Sequence, residues 1–227
     1  MEWSNRLLNT VISLASRASA GLPEVPRNSN EQLNTAAAKP TNPMISLPFR
    51  RSRQTLNIDA LYGMIVAQAR SPAFYVGYGV PDTVAGRLDM IVLHLVLLLR
   101  QLTRQHGMAP GAMPPVGQQL FDRFCRDIDD KFREMGVGDL TVPKEMRKVA
   151  EAFYGRAKAY EGALADNDRA ALEAAVARNV FGVTEPPLGA RRLAAYMREV
   201  SRRLSAQEPQ SLARGELDFP DPDAVPS

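Results

Sequence analysis

Apolar residues recur along this chain at helical spacing, and the polar positions between them mark where each helix starts and stops. Ile58, Leu61 and Ile65 share one face after Asn57 or Asp59, either of which can cap a helix. That helix is predicted to end before Pro72, because a proline disfavours helical backbone at Ser71. Phe74, Tyr75 and Tyr78 then fall in a glycine-punctuated loop that closes at Pro81. Asp82 or Thr83 caps the next helix, which runs to about Gln105 and is apolar nearly all round from Met90 to Leu99. Such a helix has no solvent face and should be the hub of the core. After a Gly/Pro linker (Gly107 to Pro115), Val116, Leu120, Phe124, Ile128 and Phe132 step by four up to Gly136, a natural left-handed stop. Thr141 with Pro143 opens a helix striped by Met146, Val149, Ala150, Phe153, Ala157, Tyr160 and Leu164. A shorter helix from Asp166–Asp168 carries Leu172, Val176 and Val180 to Gly182, and a last one holds Leu193, Met197, Val200 and Leu204 inward. No stretch alternates with a period of two, so the predicted fold class is all-α: a compact multi-helix domain of about six helices over 57–207.

The ends read differently. Residues 1–56 read as a flexible leader, of which 1–43 are rich in Ser, Asn, Ala and Pro and only Leu7 to Leu14 has helical character. A targeting peptide, a surface-binding helix and a true start at Met44 are all open, the last favoured. Arg50, Arg51 and Arg53 make a small basic cluster there. Residues 208–227 hold four prolines and five acids against one arginine, the composition of a disordered acidic tail.

Composition narrows the chemistry. The chain has 227 residues, is 45% hydrophobic and carries a net charge of +3. It can therefore fill one core, and its mild charge alone does not imply nucleic acid. The single cysteine, Cys125, rules out an intrachain disulfide and lies beside Phe121 and Phe124, where a buried thiol is expected. No apolar run approaches the ~20 residues a membrane span needs; the longest, Met90 to Leu99, is interrupted by His94.

No nucleophile–base pair, metal-ligand spacing or phosphate loop is present, so no catalysis and no cofactor are expected. His94 and His106 are the only histidines, and twelve positions along one helix rotate them out of register. Asp122, Asp127, Asp129 and Asp130 alternate with Arg123, Arg126, Lys131 and Arg133, the pattern of a solvated face laced with ion pairs rather than a calcium loop. Arg191, Arg192, Arg198, Arg202 and Arg203 cluster on the last helix, opposite its apolar stripe. They form either a solvated face or an electrostatic footprint for RNA or an anionic membrane.

The segments AQARSPAFY, YGVPDTVAGRLDMIVLHLVLLLRQL and MGVGDLTVPKEMRKVAEAFYGRAKAY, spanning Tyr62 to about Tyr160, closely resemble the ubiquinol–cytochrome c chaperone family. The resemblance implies a non-catalytic chaperone that binds newly made cytochrome b during assembly of respiratory complex III. It also implies a small partner protein, the ribosome and peripheral membrane contact as partners. The site of action would be the cytoplasmic face of a bacterial membrane or, alternatively, the matrix side of the mitochondrial inner membrane. The expected partner-binding residues are Phe74, Tyr75, Tyr78, Asp82, Asp89, His94, Arg191, Arg198 and Arg202. The loop aromatics are taken as an exposed client surface.

Overall fold

The structure, a computed structural model, describes residues 53–110 and 112–225, and these are helical throughout with no strand among them. The leader over residues 1–52, including Met44 and the Arg50–Arg51 pair, lies outside the described residues. Six long helices carry the fold: α1 (Arg53–Ala69), α3 (Val84–Gln105), α4 (Pro115–Glu134), α5 (Val142–Ala165), α6 (Arg169–Val176) and α7 (Leu188–Ala206). Between α1 and α3 sits a one-turn helix, α2 (Pro72–Val76), where the sequence reads as loop. The last turn of α6 widens into a π-helix over Ala177–Phe181 and stops at left-handed Gly182. A short α8 (Pro209–Ala213) and a 3-10 turn (Pro222–Ala224) follow α7.

Helix α3 is the hub. It packs against α1, α4, α5 and α7, and every residue from Val92 to Thr103 is buried. Polar groups on so buried a helix need partners, and they find them. Thr103 Oγ donates to the carbonyl of Ala112 at 2.8 Å, Arg100 to Ser201 Oγ at 2.9 Å, and Ser205 Oγ to Gln101 Oε1 at 3.1 Å. Thr83 caps α3 by accepting from Gly86 N at 3.0 Å. Asp82 does not cap; it pairs with Arg87 at 2.7 Å on the surface. Thr141 precedes α5 but makes no side-chain cap.

His94 lies fully inside this hub. One ring nitrogen, Nδ1, is 2.7 Å from the Met90 carbonyl, and a carbonyl only accepts, so Nδ1 carries the proton. Nε2 then accepts from the Tyr196 hydroxyl at 2.9 Å. Burial holds the imidazole down at about 4, against an ordinary 6.5. The unfolded chain therefore takes up a proton that the folded one refuses as pH falls from 6.5 towards 4. His94's contribution is complete above the ordinary value and is lost through that window. Between about pH 7.5 and about pH 4.5, wild type should lose about 2 kcal/mol more unfolding free energy than a His94→Gln variant, measured by urea titration. Asp89, whose carboxyl burial raises to about 6 against the pull of Arg156, titrates in both proteins and cancels in the difference. Equal pH slopes would show that His94 is not held neutral.

The stretch after α7 is not the disordered tail that its composition implies. Leu212, Leu217, Pro220 and Pro222 are buried, and the strand of chain runs back across α7 and α1. Gln68 Nε2 donates to the Pro220 carbonyl at 3.0 Å, the Tyr78 hydroxyl donates to the Pro222 carbonyl at 2.6 Å, and the Phe219 ring lies 5.3 Å from that of His94. Proline explains why this works. It has no N–H to satisfy and its ring already fixes φ, so each docked carbonyl needs only one side-chain donor and little backbone freedom is lost.

Candidate functional site

The turn joining α1 to α3 is built from the inside out. Successive helical residues are 100° apart, so Phe74 and Val76, two apart on α2, face opposite ways. Phe74 points inward and is completely buried, in edge contact with Tyr196 (centroids 4.9 Å), Tyr78 (5.4 Å) and His94 (5.6 Å). Such edge-on aromatic pairs add to the burial that holds them. The chain then folds back over the N-terminus of α3. A Cβ on Gly86 would stand 2.0 Å from the Pro81 carbonyl, and one on Gly189 would stand 1.9 Å from the Tyr78 carbonyl. Only glycine permits either approach, and the second locks the start of α7 against the turn.

This packing decides what the surface offers. Val76, Val84 and Leu188 are left outside, at 87%, 75% and 69% exposure. Val76 precedes Gly77, whose carbonyl accepts from Arg192 Nη1 at 2.6 Å. Leu188 precedes Gly189, which lies against the neighbouring Tyr78 carbonyl. Charges border this rim: the Asp82–Arg87 pair, with Arg87 over the Tyr75 ring at 5.4 Å, and Arg192 over the Tyr78 ring at 4.5 Å. Apolar residues ringed by fixed charges form a surface that can seat an apolar segment and orient it.

The residues singled out from sequence divide accordingly. Phe74, Tyr78 and His94 are core, not surface: at 0%, 2% and 0% exposure they cannot meet a partner without unfolding. Tyr75 is half-buried with its hydroxyl donating to the Ala69 carbonyl at 2.7 Å. Asp82 is exposed on the rim. Asp89 is half-buried and tied to Arg156 at 2.6 Å, which also reaches the Asn179 carbonyl on the π-turn, so it braces helices rather than facing a partner. Of the α7 arginines, Arg192 is committed to the turn, and Arg202 and Arg203 both bind Glu199, at 2.6 and 3.1 Å, holding that carboxyl down at about 2. Arg191 is exposed and Arg198 half-buried. The helix thus presents fewer available charges than its composition implies. On α4, Asp129 pairs with Arg133 as the spacing predicts, but Lys131 pairs with Glu134, while Asp127 accepts from the Tyr62 hydroxyl. Cys125 is buried, and burial pushes its thiol up, away from reactivity. Among the described residues no group of histidine, cysteine or carboxylate could hold a metal, and no helix is long and apolar enough to cross a membrane.

The described residues thus form a helical body with exposed aliphatic side chains around the α1–α3 turn. Residues 77–219 match the family model described as ubiquinol-cytochrome C chaperone, and the chain belongs to that family. The chain is similar to the crystal structure of the Cbp3 homolog from Brucella abortus, with TM-score 0.67 and 36% identity over 77% of this chain and 94% of that one. It is also 25% identical over 136 residues to the Xenopus laevis ubiquinol-cytochrome-c reductase complex assembly factor 1. That match takes in 59% of this chain and 66% of the frog protein, a little under two thirds of its length. The family model runs through Phe219, so the docked segment after α7 falls largely within it.

Proposed function

We propose that this protein is an assembly chaperone for respiratory complex III that captures newly made cytochrome b, or an assembly intermediate of it, on the rim formed by Val76, Val84 and Leu188. Membership of the chaperone family and the name of the frog relative support the complex. The observation that carries the docking site is the exposure of three large aliphatic side chains around a turn whose Phe74 and Tyr78 are turned inward. Cytochrome b consists of apolar membrane helices, which need cover before they insert and pack. A rigid apolar rim bordered by Asp82, Arg87 and Arg192 can hold one amphipathic stretch of such a chain in a fixed direction. The protein would act on the side of the membrane where cytochrome b is made.

Deleting the gene should selectively lower membrane cytochrome b, read by reduced-minus-oxidised haem spectra and immunoblot. A wild-type copy should restore it. A copy carrying Val76→Asp and Leu188→Asp should not, although its melting temperature changes little, because both side chains are already in water. Normal cytochrome b in the deletion strain would sink the functional reading. Full rescue by the double variant would move the docking surface off this rim.

A further inference from the structure

At the end of the bundle away from the rim, the C-terminal parts of α3 and α5, the start of α6 and the outer face of α7 line two open cavities. They measure about 650 Å³ and about 350 Å³ and share Leu164 as a wall. Arg100, Arg104, Arg169, Arg198 and Arg202 line them, against two acids, Glu161 and Glu199. Glu199 is already engaged by two guanidinium groups, and Arg169 reaches Glu173 through Nε, leaving its outer nitrogens unused. Among the described residues neither Arg104 nor Arg198 forms an ion pair with a carboxylate.

Arg100 is the most informative of the five. It is 9% exposed, yet of its five N–H donors one is used, by Ser201 Oγ at 2.9 Å. Glu161, on facing α5, is not within ion-pairing distance of it among the described residues. Burial and the neighbouring Arg104 push the Arg100 guanidinium below its ordinary value, and burial raises the Glu161 carboxyl. A buried guanidinium normally has its charge paired and its donors filled, and here the unfilled donors border a cavity. The backbone at the mouth is also unusual. Asn167 is the one non-glycine residue with positive φ, at 53°, among those described. Between the arginines the walls are apolar: Leu164, Ala165 and Ala195, with Met108, Pro110 and Val225.

We propose that the smaller of the two cavities binds an anionic amphiphile, a phosphate ester on a single alkyl chain, with the phosphate held by Arg100 and Arg104 and the chain lying along Leu164. Guanidinium forks match phosphate oxygens in pairs. The apolar walls fit a chain that a free phosphate lacks. The interspersed Glu161 and Glu199 and the apolar walls disfavour a nucleic-acid backbone, which needs a continuous basic track. The site stands apart from the rim, so it does not depend on the chaperone reading.

Titrating dodecyl phosphate, below its micelle concentration, into the full-length protein should give saturable one-to-one binding by calorimetry. The Arg104→Gln variant should weaken it roughly tenfold or more, with an unchanged melting temperature. Arg191→Gln, on α7 and outside the cavity, should leave it unaltered. Inorganic phosphate binding as tightly would reduce the cleft to an ion site and overturn the proposal. Dodecyl maltoside binding as tightly would make it a plain apolar crevice, with the same consequence. Single-stranded RNA that binds with the same arginine dependence and displaces dodecyl phosphate would assign the face to nucleic acid instead.

Discussion

Phe74→Ala should lower the melting temperature by roughly 10 °C. Removing a fully buried phenyl ring costs about 3–5 kcal/mol, and each kcal/mol moves the midpoint of a chain this size by about 2–4 °C. Phe74 has no exposed surface and touches Tyr78, His94 and Tyr196 at once. The cavity left behind would open at the meeting point of α2, α3 and α7, where Gly86 and Gly189 allow almost no backbone adjustment. On the proposed function, cytochrome b would fall in such a strain as well, but through loss of the folded protein itself. Comparing Phe74→Ala with the Val76→Asp, Leu188→Asp pair separates the two causes: the first should melt early, the second should fold normally. A Phe74→Ala protein that melts like wild type would return this residue to the surface and undo the described packing.

Ending the chain at Gln207 should be nearly as damaging. A solvated tail could be removed without consequence. A docked one leaves behind water-exposed Tyr78, His94 and Tyr196 and strands the donors of Gln68 and Tyr78. The expected loss is on the order of 3 kcal/mol, the scale of removing two buried leucines, here Leu212 and Leu217, from their surroundings. Chemical denaturation of the two chain lengths measures it directly. Limited proteolysis supplies an independent check, since the full chain should resist cleavage between Leu212 and Pro222. An unchanged unfolding midpoint, with rapid clipping there, would mean that the segment is not held.

The helical plan was legible because its determinants are local. Steps of four from Val116 to Phe132 and the unbroken apolar run of α3 define faces on their own, and Gly136, Gly182 and the Thr83 cap stop or start helices wherever the rest of the chain goes. The site was harder to read because its determinants are distant. Whether an aromatic in the α1–α3 turn faces in or out depends on Tyr196 and Gly189, more than a hundred positions away. Phe74 and Tyr78 therefore looked like a recognition surface, while Val76, Val84 and Leu188 drew no notice. A one-turn helix at Pro72 would have exposed the error, since it places Phe74 and Val76 back to back. The acidic tail was misjudged for a related reason. Charge and proline content argue against a self-sufficient core, but Leu212, Leu217 and Phe219 only have to complete a core that already exists.

The docked segment also sets when the protein can be finished. Its hydrogen bonds join residues 152 and 144 positions apart, Gln68 to Pro220 and Tyr78 to Pro222. Such long-range closures come late, because the intervening chain must first be ordered. During synthesis, at roughly 5–20 residues per second, α1 and α3 are made many seconds before the residues that will cover His94 and Tyr196. Until then the nascent chaperone carries an open aromatic face of its own, much like the clients it is proposed to shelter. Slowing translation just before Leu212 would prolong that state, and the yield of folded protein should fall with it.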